Sequence, residues 1–309
     1  MTSTEGRVLV TGAAGMLGSE LRIQAPRGTA TLGTDLRAGE GVEAPSVDLA
    51  DPQAIARLFA DHGPFSGVIH CAAFTAVDLA EEKEAEAQRA NEGATRVLAQ
   101  ACAGAGTPLV VIGTDFVFDG ESRRPYREDD PVRPLSAYGR TKLAAERAAL
   151  AAHPKGTRIV RTQWLYGPRG KHFPGTIREL ARTRKELKVV NDQVGSPTTT
   201  LELAPAVWDV LLRGEPGVWH AACEGSCSWF DLAFATLELS GVAGVDLRPC
   251  TTAEFPRPAR RPAYSVLDCS KLHRLRGRRL APWRGALAVF LSRDRAGPTG
   301  GPTPQSRLD

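Results

Sequence analysis

The stretch RVLVTGAAGMLGSEL, residues 7–21, constrains the chain more than any other. Its first residues form a short apolar run with no polar face, which predicts a strand buried on both sides. The run leads straight into Gly12, Gly15 and Gly18, and a helix is expected to open immediately after them. Glycine lets a backbone turn tightly and come close to a pyrophosphate. The N-terminus of the following helix presents unpaired N–H groups and a partial positive charge. A strand, a glycine turn and a helix in that order therefore predict a dinucleotide-binding unit.

The pattern continues along the first half. TATLGTD, FSGVIHCAA and TPLVVIGTD are further apolar strands. DPQAIARLFADH and EEKEAEAQRANEGATRVLAQACAGAG carry helical spacing between them. GTRIVRTQWLYG supplies another strand after the helix expected in SAYGRTKLAAERAALAA. Helices alternating with wholly apolar strands predict an α/β fold, a doubly wound Rossmann-type parallel sheet covered on both faces. Residues 1–170 are expected to form that NAD(P)-binding domain.

Residues 171–294 predict a smaller C-terminal α/β substrate-binding lobe. VVNDQVGSPTTT looks like a strand ending in turn chemistry, and LELAPAVWDVLLRG and SWFDLAFATLELSG look helical. GVWHAAC, near 217–223, is expected to return as a strand to the main sheet. EFPRPARRP must be an extended loop. From 295 to 309, RAGPTGGPTPQSRLD lacks apolar content and is expected to be a disordered tail.

Charge narrows the partners. A formal charge of +4 is too mild to imply nucleic acid, but residues 254–293 hold ten Lys/Arg against two acids. That part could face an anion. The six cysteines show no paired metal-ligand spacing, so no metal site is expected. With neither a signal peptide nor an apolar run of ~18 residues, the expected location is cytoplasmic, away from membranes, with reduced thiols.

Asp35 closes the second strand, where a carboxylate accepts hydrogen bonds from ribose hydroxyls and repels a 2′-phosphate. That favours NADH, whereas Arg37 could accept a 2′-phosphate, so NADPH and NADH both stay open. Asp48, in SVDLAD, is a candidate beside the adenine. Tyr138 and Lys142 are four apart on one helix face. A nearby ammonium favours the phenolate and can bind the nicotinamide ribose, so the pair suits proton delivery to a ketone being reduced. Thr114, ending the fourth strand, is placed to fix the carbonyl oxygen, since ligands bind beyond the carboxyl ends of parallel strands.

These residues together resemble the extended short-chain dehydrogenase/reductases. More closely, CAAFTAVDLAE, GTDFVFDG, SAYGRTKLAAE, RTQWLYG, VVNDQVGSPT, EFPRPARRPAYSVLD and APWRGAL are similar in order and spacing to the dTDP-4-dehydrorhamnose reductase family. The resemblance implies NAD(P)H-dependent reduction of the 4-keto group of a dTDP-4-keto-6-deoxyhexose to dTDP-L-rhamnose. It carries the catalytic Thr, Tyr and Lys onto Thr114, Tyr138 and Lys142. Its nucleotide turn falls on Gly12, Ala14, Gly15, Met16, Leu17 and Gly18, with further cofactor contacts expected at Asp35, Asp48, Leu49, Ala72, Ala73, Tyr138 and Lys142. On the substrate side it implies Thr75, Val77, Asp78, Thr114, Phe116, Trp164 and Arg261. The tryptophan would pack against the sugar, and Arg261 would lie near the nucleotide diphosphate. Some members use Mg2+ at a dimer interface, which leaves a homodimer open; no acidic cluster in this sequence demands the ion.

Three motifs depart from the family pattern: Cys71 replaces an asparagine, Gly113 and Phe116 replace a serine and a tyrosine, and Gln163 replaces a serine. Phe116 and Gln163 bear on which hexose is taken, so a reductase of another deoxysugar, such as the dihydrostreptose type, is an alternative. A dehydratase would need an acidic pair after Thr114, but Asp115 is followed by Phe116. The C-terminal motifs disfavour a 4-epimerase. A non-catalytic subunit, like the methionine adenosyltransferase beta subunit, is the alternative from a different class.

Overall fold

The computed structural model describes residues 6–295. The expected tail lies outside them, apart from its first residue. In chain order the first half runs β1 (Arg7–Thr11), α1 (Met16–Ile23), β2 (Thr31–Asp35), β3 (Ala44–Pro45), α2 (Pro52–His62) and β4 (Phe65–His70). It continues through α3 (Leu79–Glu82), α4 (Glu84–Gln88), a π-turn (Arg89–Gly93), α5 (Ala94–Ala105), β5 (Leu109–Thr114) and a 3-10 turn (Asp115–Val117). Then come α6 (Ala137–Ala152), β6 (Thr157–Thr162) and β7 (Leu165–Tyr166).

The second half contains α7 (Phe173–Thr183), β8 (Glu186–Val190), β9 (Val194–Gly195), β10 (Thr198–Thr199) and α8 (Thr200–Arg213). It closes with β11 (Gly217–His220), β12 (Cys227–Ser228), α9 (Trp229–Ser240), β13 (Asp246–Cys250), α10 (Ser270–Arg276) and α11 (Trp283–Arg295).

Among the described residues, seven strands form one sheet in the order β11-β6-β5-β4-β1-β2-β3, and every pairing in it is parallel. GVWH does return to this sheet, as its outer strand beside β6. Both faces are covered. On one, Leu17 and Leu21 of α1 pack with Leu203, Val207 and Trp208 of α8 against Val8, Val10 and Val160. On the other, Ile55, Leu58, Ala94, Leu98 and Ala149 pack against Leu9, Val68, Leu109 and Val111. Each of the larger buried side chains contributes roughly 1.5–3 kcal/mol by leaving water. A third layer joins α7, α9 and α11 to the small β8–β13 ladder through Ile177, Val189, Leu237, Leu287 and Phe290.

The chain reverses direction across the sheet between β1 and β4, where α/β sheets open a crevice at their carboxyl ends. The helix expected from residue 81 to 106 is broken: α3 and α4 are short, and a π-turn precedes α5. Among the described residues no helix is long and apolar enough to cross a membrane.

Candidate active site

The glycine turn is shaped by contacts that leave no room for side chains. Gly12 has φ +66°, and a Cβ there would stand 2.7 Å from the Ala72 backbone nitrogen. A Cβ on Gly18 would overlap the Gly12 carbonyl oxygen. These glycines therefore press the end of β1 against Ala72, just beyond β4, and seat α1 on the turn. Beneath them Thr11 Oγ1 meets His70 Nδ1 at 2.7 Å and accepts the Ala72 amide at 3.3 Å, and Thr95 closes the other side of the buried imidazole. Burial, then the Lys142 charge, hold His70 neutral at a pKa of about 3.

The turn fits the diphosphate of a dinucleotide. Gly15, at the N-cap of α1, has no side chain to satisfy the first amides, which include those of Met16 and Leu17. Met16 packs near Gly167 and Gly170. The Ala14 amide donates to Asp35 Oδ2 at 3.3 Å, and the Arg37 amide donates to Oδ1 at 3.4 Å, which draws the β2 carboxylate to the rim of the turn. Asp48 pairs with Arg89 and accepts the Ala50 amide at 3.0 Å. Leu49 turns its side chain into the core, leaving its backbone as the part that could face a cofactor. Ala73, like Ala72, is half-buried.

The reactive groups meet where β5 ends and α6 begins. Ser136 caps α6 by accepting the Gly139 amide at 3.2 Å. A Cβ on Gly139 would overlap the Phe116 carbonyl oxygen, so glycine here lets the first turn of α6 lie directly on residues 115–117. Tyr138 and Phe116 consequently make an edge-on contact with ring centroids 5.5 Å apart. Thr114 Oγ1 donates to Asp115 Oδ1 at 3.1 Å and accepts the Phe116 amide at 3.2 Å. Burial pushes the Tyr138 phenol up to about 12, while the neighbouring Thr114 hydroxyl pulls the other way.

Lys142 lies one turn further on, 5% exposed, and its Nζ donates to the Ile112 carbonyl at 2.8 Å. Burial lowers its pKa to about 8, against the attraction of Glu146. The expected easing of the phenol by the ammonium is not seen here: the phenol is raised, and Nζ is turned to the strand carbonyl. Cys71, which replaces the family asparagine, is a thiol pushed up to about 12 by burial. Gly113 has a plain reason: a Cβ would meet Glu146 Oε1 at 2.6 Å, inside the buried Glu146–Arg161 pair.

The substrate-side residues separate into two groups. Asp78 sits just before α3, and its Oδ2 takes Arg257 Nη2 at 2.6 Å and Arg261 Nη2 at 3.1 Å. The Pro-rich segment is thus tied to the loop carrying exposed Thr75 and half-buried Val77. Trp164, with φ +47°, stacks on Trp229 with centroids 3.6 Å apart. A non-glycine residue in that region is uncommon and marks a constrained position. Gln163 Oε1 accepts the Ser196 amide at 2.9 Å and the Ser265 hydroxyl at 3.4 Å.

Sequence reasoning missed Asn91, Gly139, Arg257 and Ser265. Asn91 clamps the loop after β4 to α6: its Oδ1 accepts the Phe74 amide at 2.8 Å and its Nδ2 donates to Thr141 at 2.9 Å. An asparagine set in an otherwise strong helical run was the available signal. Gly139 lay inside the Tyr–Lys motif, and Arg257 inside the basic C-terminal stretch.

Residues 6–296 match the family described as the RmlD substrate binding domain. The dTDP-4-dehydrorhamnose reductase of Streptomyces griseus is 42% identical over 286 residues, 91% of each chain. A Streptomyces antibioticus protein, a probable dTDP-4,6-dihydroxy-2-methyloxan-3-one 4-ketoreductase, is 43% identical over 289 residues, 91% of this chain and 93% of its own. The solved structure of dTDP-4-dehydrorhamnose reductase from Bacillus anthracis, in complex with NADP, is 32% identical with a TM-score of 0.86, covering 93% of this chain and 99% of that one.

Proposed function

This chain belongs to the RmlD substrate binding domain family, that of the dTDP-4-dehydrorhamnose reductases, and from that premise we infer its reaction. It reduces the 4-keto group of dTDP-4-dehydro-6-deoxy-L-mannose with NAD(P)H, giving dTDP-L-rhamnose. The observation that carries the reading is the seating of Tyr138 on the turn that follows Thr114 at the end of β5, beside the crevice whose glycine turn suits a diphosphate.

The cofactor, when bound, supplies the hydride that adds to C4 of the sugar. The chain's own residues do the rest. The amides of the 12–18 turn hold the cofactor's diphosphate, and Asp35 receives the adenosine ribose hydroxyls. Tyr138 gives its proton to the oxygen that becomes the 4-hydroxyl. Thr114 fixes that oxygen, and Lys142 would hold the nicotinamide ribose, where its charge favours the phenolate. Arg257 and Arg261 supply positive charge for the sugar's diphosphate.

The test follows NAD(P)H oxidation at 340 nm with the dTDP-4-keto-L-sugar, with the product identified by NMR. Tight cofactor binding without turnover would favour a non-catalytic subunit. Turnover confined to a different dTDP-4-keto-6-deoxysugar would favour the second reading, supported by Phe116 and Gln163 standing where the family pattern has a tyrosine and a serine.

A further inference from the structure

Asp115 is a buried acid to which the reaction above gives no work. It is 1% exposed, and its Oδ2 makes no hydrogen bond. Oδ1 accepts the Thr114 hydroxyl at 3.1 Å. Tyr138 faces it from α6, Ser265 from the segment after the arginine-rich loop, and the Phe116 amide from its own turn. None of these neighbours is a cation. Ser265 has a single proton, and Gln163 Oε1 stands 3.4 Å from it as a competing acceptor. A carboxylate enclosed in this way leaves an oxygen without a donor, which is costly. The neutral acid does not have that difficulty. Burial accordingly raises the Asp115 carboxyl to about 6, outweighing the opposite pull of the nearby Ser265 and Thr114 hydroxyls and the turn amides.

Resting on the reductase reading, we propose that Asp115 is a positioning residue that sets the direction of the Thr114 hydroxyl. As a carboxylate it keeps the Thr114 proton, and Thr114 can then only accept a bond from the reacting groups. As a neutral acid it donates to Thr114 Oγ1. That oxygen has two lone pairs, one of them already taken by the Phe116 amide at 3.2 Å. With both filled, the Thr114 proton must point away, toward the substrate's C4 oxygen and Tyr138. The change reverses two hydrogen bonds, and Asp115 loses no proton to the substrate.

The experiment measures kcat with NADPH and dTDP-4-dehydro-6-deoxy-L-mannose from pH 5 to pH 8. The variants are Asp115→Asn and Thr114→Val, with the NADPH dissociation constant read separately. The wild-type kcat should fall roughly tenfold across that range, below the ~10²–10⁴-fold that a positioned proton donor contributes. Asp115→Asn should flatten the profile, because its amide can donate to Thr114 at every pH. Thr114→Val should lose both the pH dependence and most of the turnover. In 13C-aspartate-labelled protein, one carboxyl signal should titrate near 6 and be missing in Asp115→Asn. A profile that persists in Asp115→Asn, a flat wild-type profile, or a signal titrating near 4 each overturns the proposal. Should Asp115→Asn fail to fold, the wild-type and Thr114→Val profiles decide. A wild-type protein inert with this ketone at every pH rejects the rhamnose-forming reading, and the carbon signal still decides whether Asp115 is held neutral.

Discussion

A phenol raised to about 12 keeps its proton at neutral pH, which suits Tyr138 to donate and makes its deprotonation the harder half of the cycle. Phenylalanine in its place would keep the ring volume and the edge contact with Phe116. Tyr138→Phe should therefore lower kcat at least ~10²-fold while leaving the NADPH dissociation constant nearly unchanged, since only the proton is removed. Turnover close to wild type would reject Tyr138 as the donor. Asp35 permits a second test at the same scale. Its carboxylate is held at the turn by the Ala14 amide, where it would oppose a 2′-phosphate. Asp35→Ala should raise the ratio of NADPH to NADH efficiency, and an unchanged ratio would show that the ribose is read elsewhere.

Individual elements differ in how plainly the chain announces them. The strands of the parallel sheet are short, mostly apolar runs, so β1, β2, β4, β5, β6 and the outer β11 were legible, and with them the fold class. The short β3 carries too few residues to show a period. In β13 the sequence DLRPC is mostly exposed and contains a proline, and it is stabilised by its partner β8 more than by its own pattern. Pro174 and Gly175 in the first turn of α7 hide its helical spacing. The break between α4 and α5 was invisible because Asn91 is explained only by its distant partners Phe74 and Thr141. The Tyr–Lys helix was legible as chemistry, but its seating on residues 115–117 through Gly139 was not. Asn91 is where such a tertiary dependence can be measured. Asn91→Ala leaves the Phe74 amide and the Thr141 hydroxyl short of a buried partner, which should cost about 2–3 kcal/mol in urea unfolding. It should also lower kcat, because α6 carries Tyr138. A variant equal to wild type in both would show that the clamp is dispensable.

Across the whole molecule, Asp78 is the point at which the arginine-rich loop of the C-terminal half is fastened to the loop leaving β4. Burial alone would raise its carboxyl, but its bonds from Arg261, the Ala259 amide and Arg257 outweigh that and hold it at about 2. An unfolded chain returns an aspartate to about 3.9, so the bound carboxylate stabilises the fold above that pH. The contribution fades as the pH falls from about 4 through 2 and protons compete with the guanidinium groups. Arg257 is half-exposed, so solvent screening limits the effect to on the order of 1 kcal/mol near neutrality. Asp78→Asn should thus lower the urea midpoint at pH 7 by a corresponding amount, with a difference from wild type that shrinks by about half near pH 3. The same substitution should alter the affinity for the dTDP-sugar, because Arg257 and Arg261 lose the anion that orients them. A destabilisation equal at both pH values would mean that the loops are joined by packing, with the charge of Asp78 incidental to it.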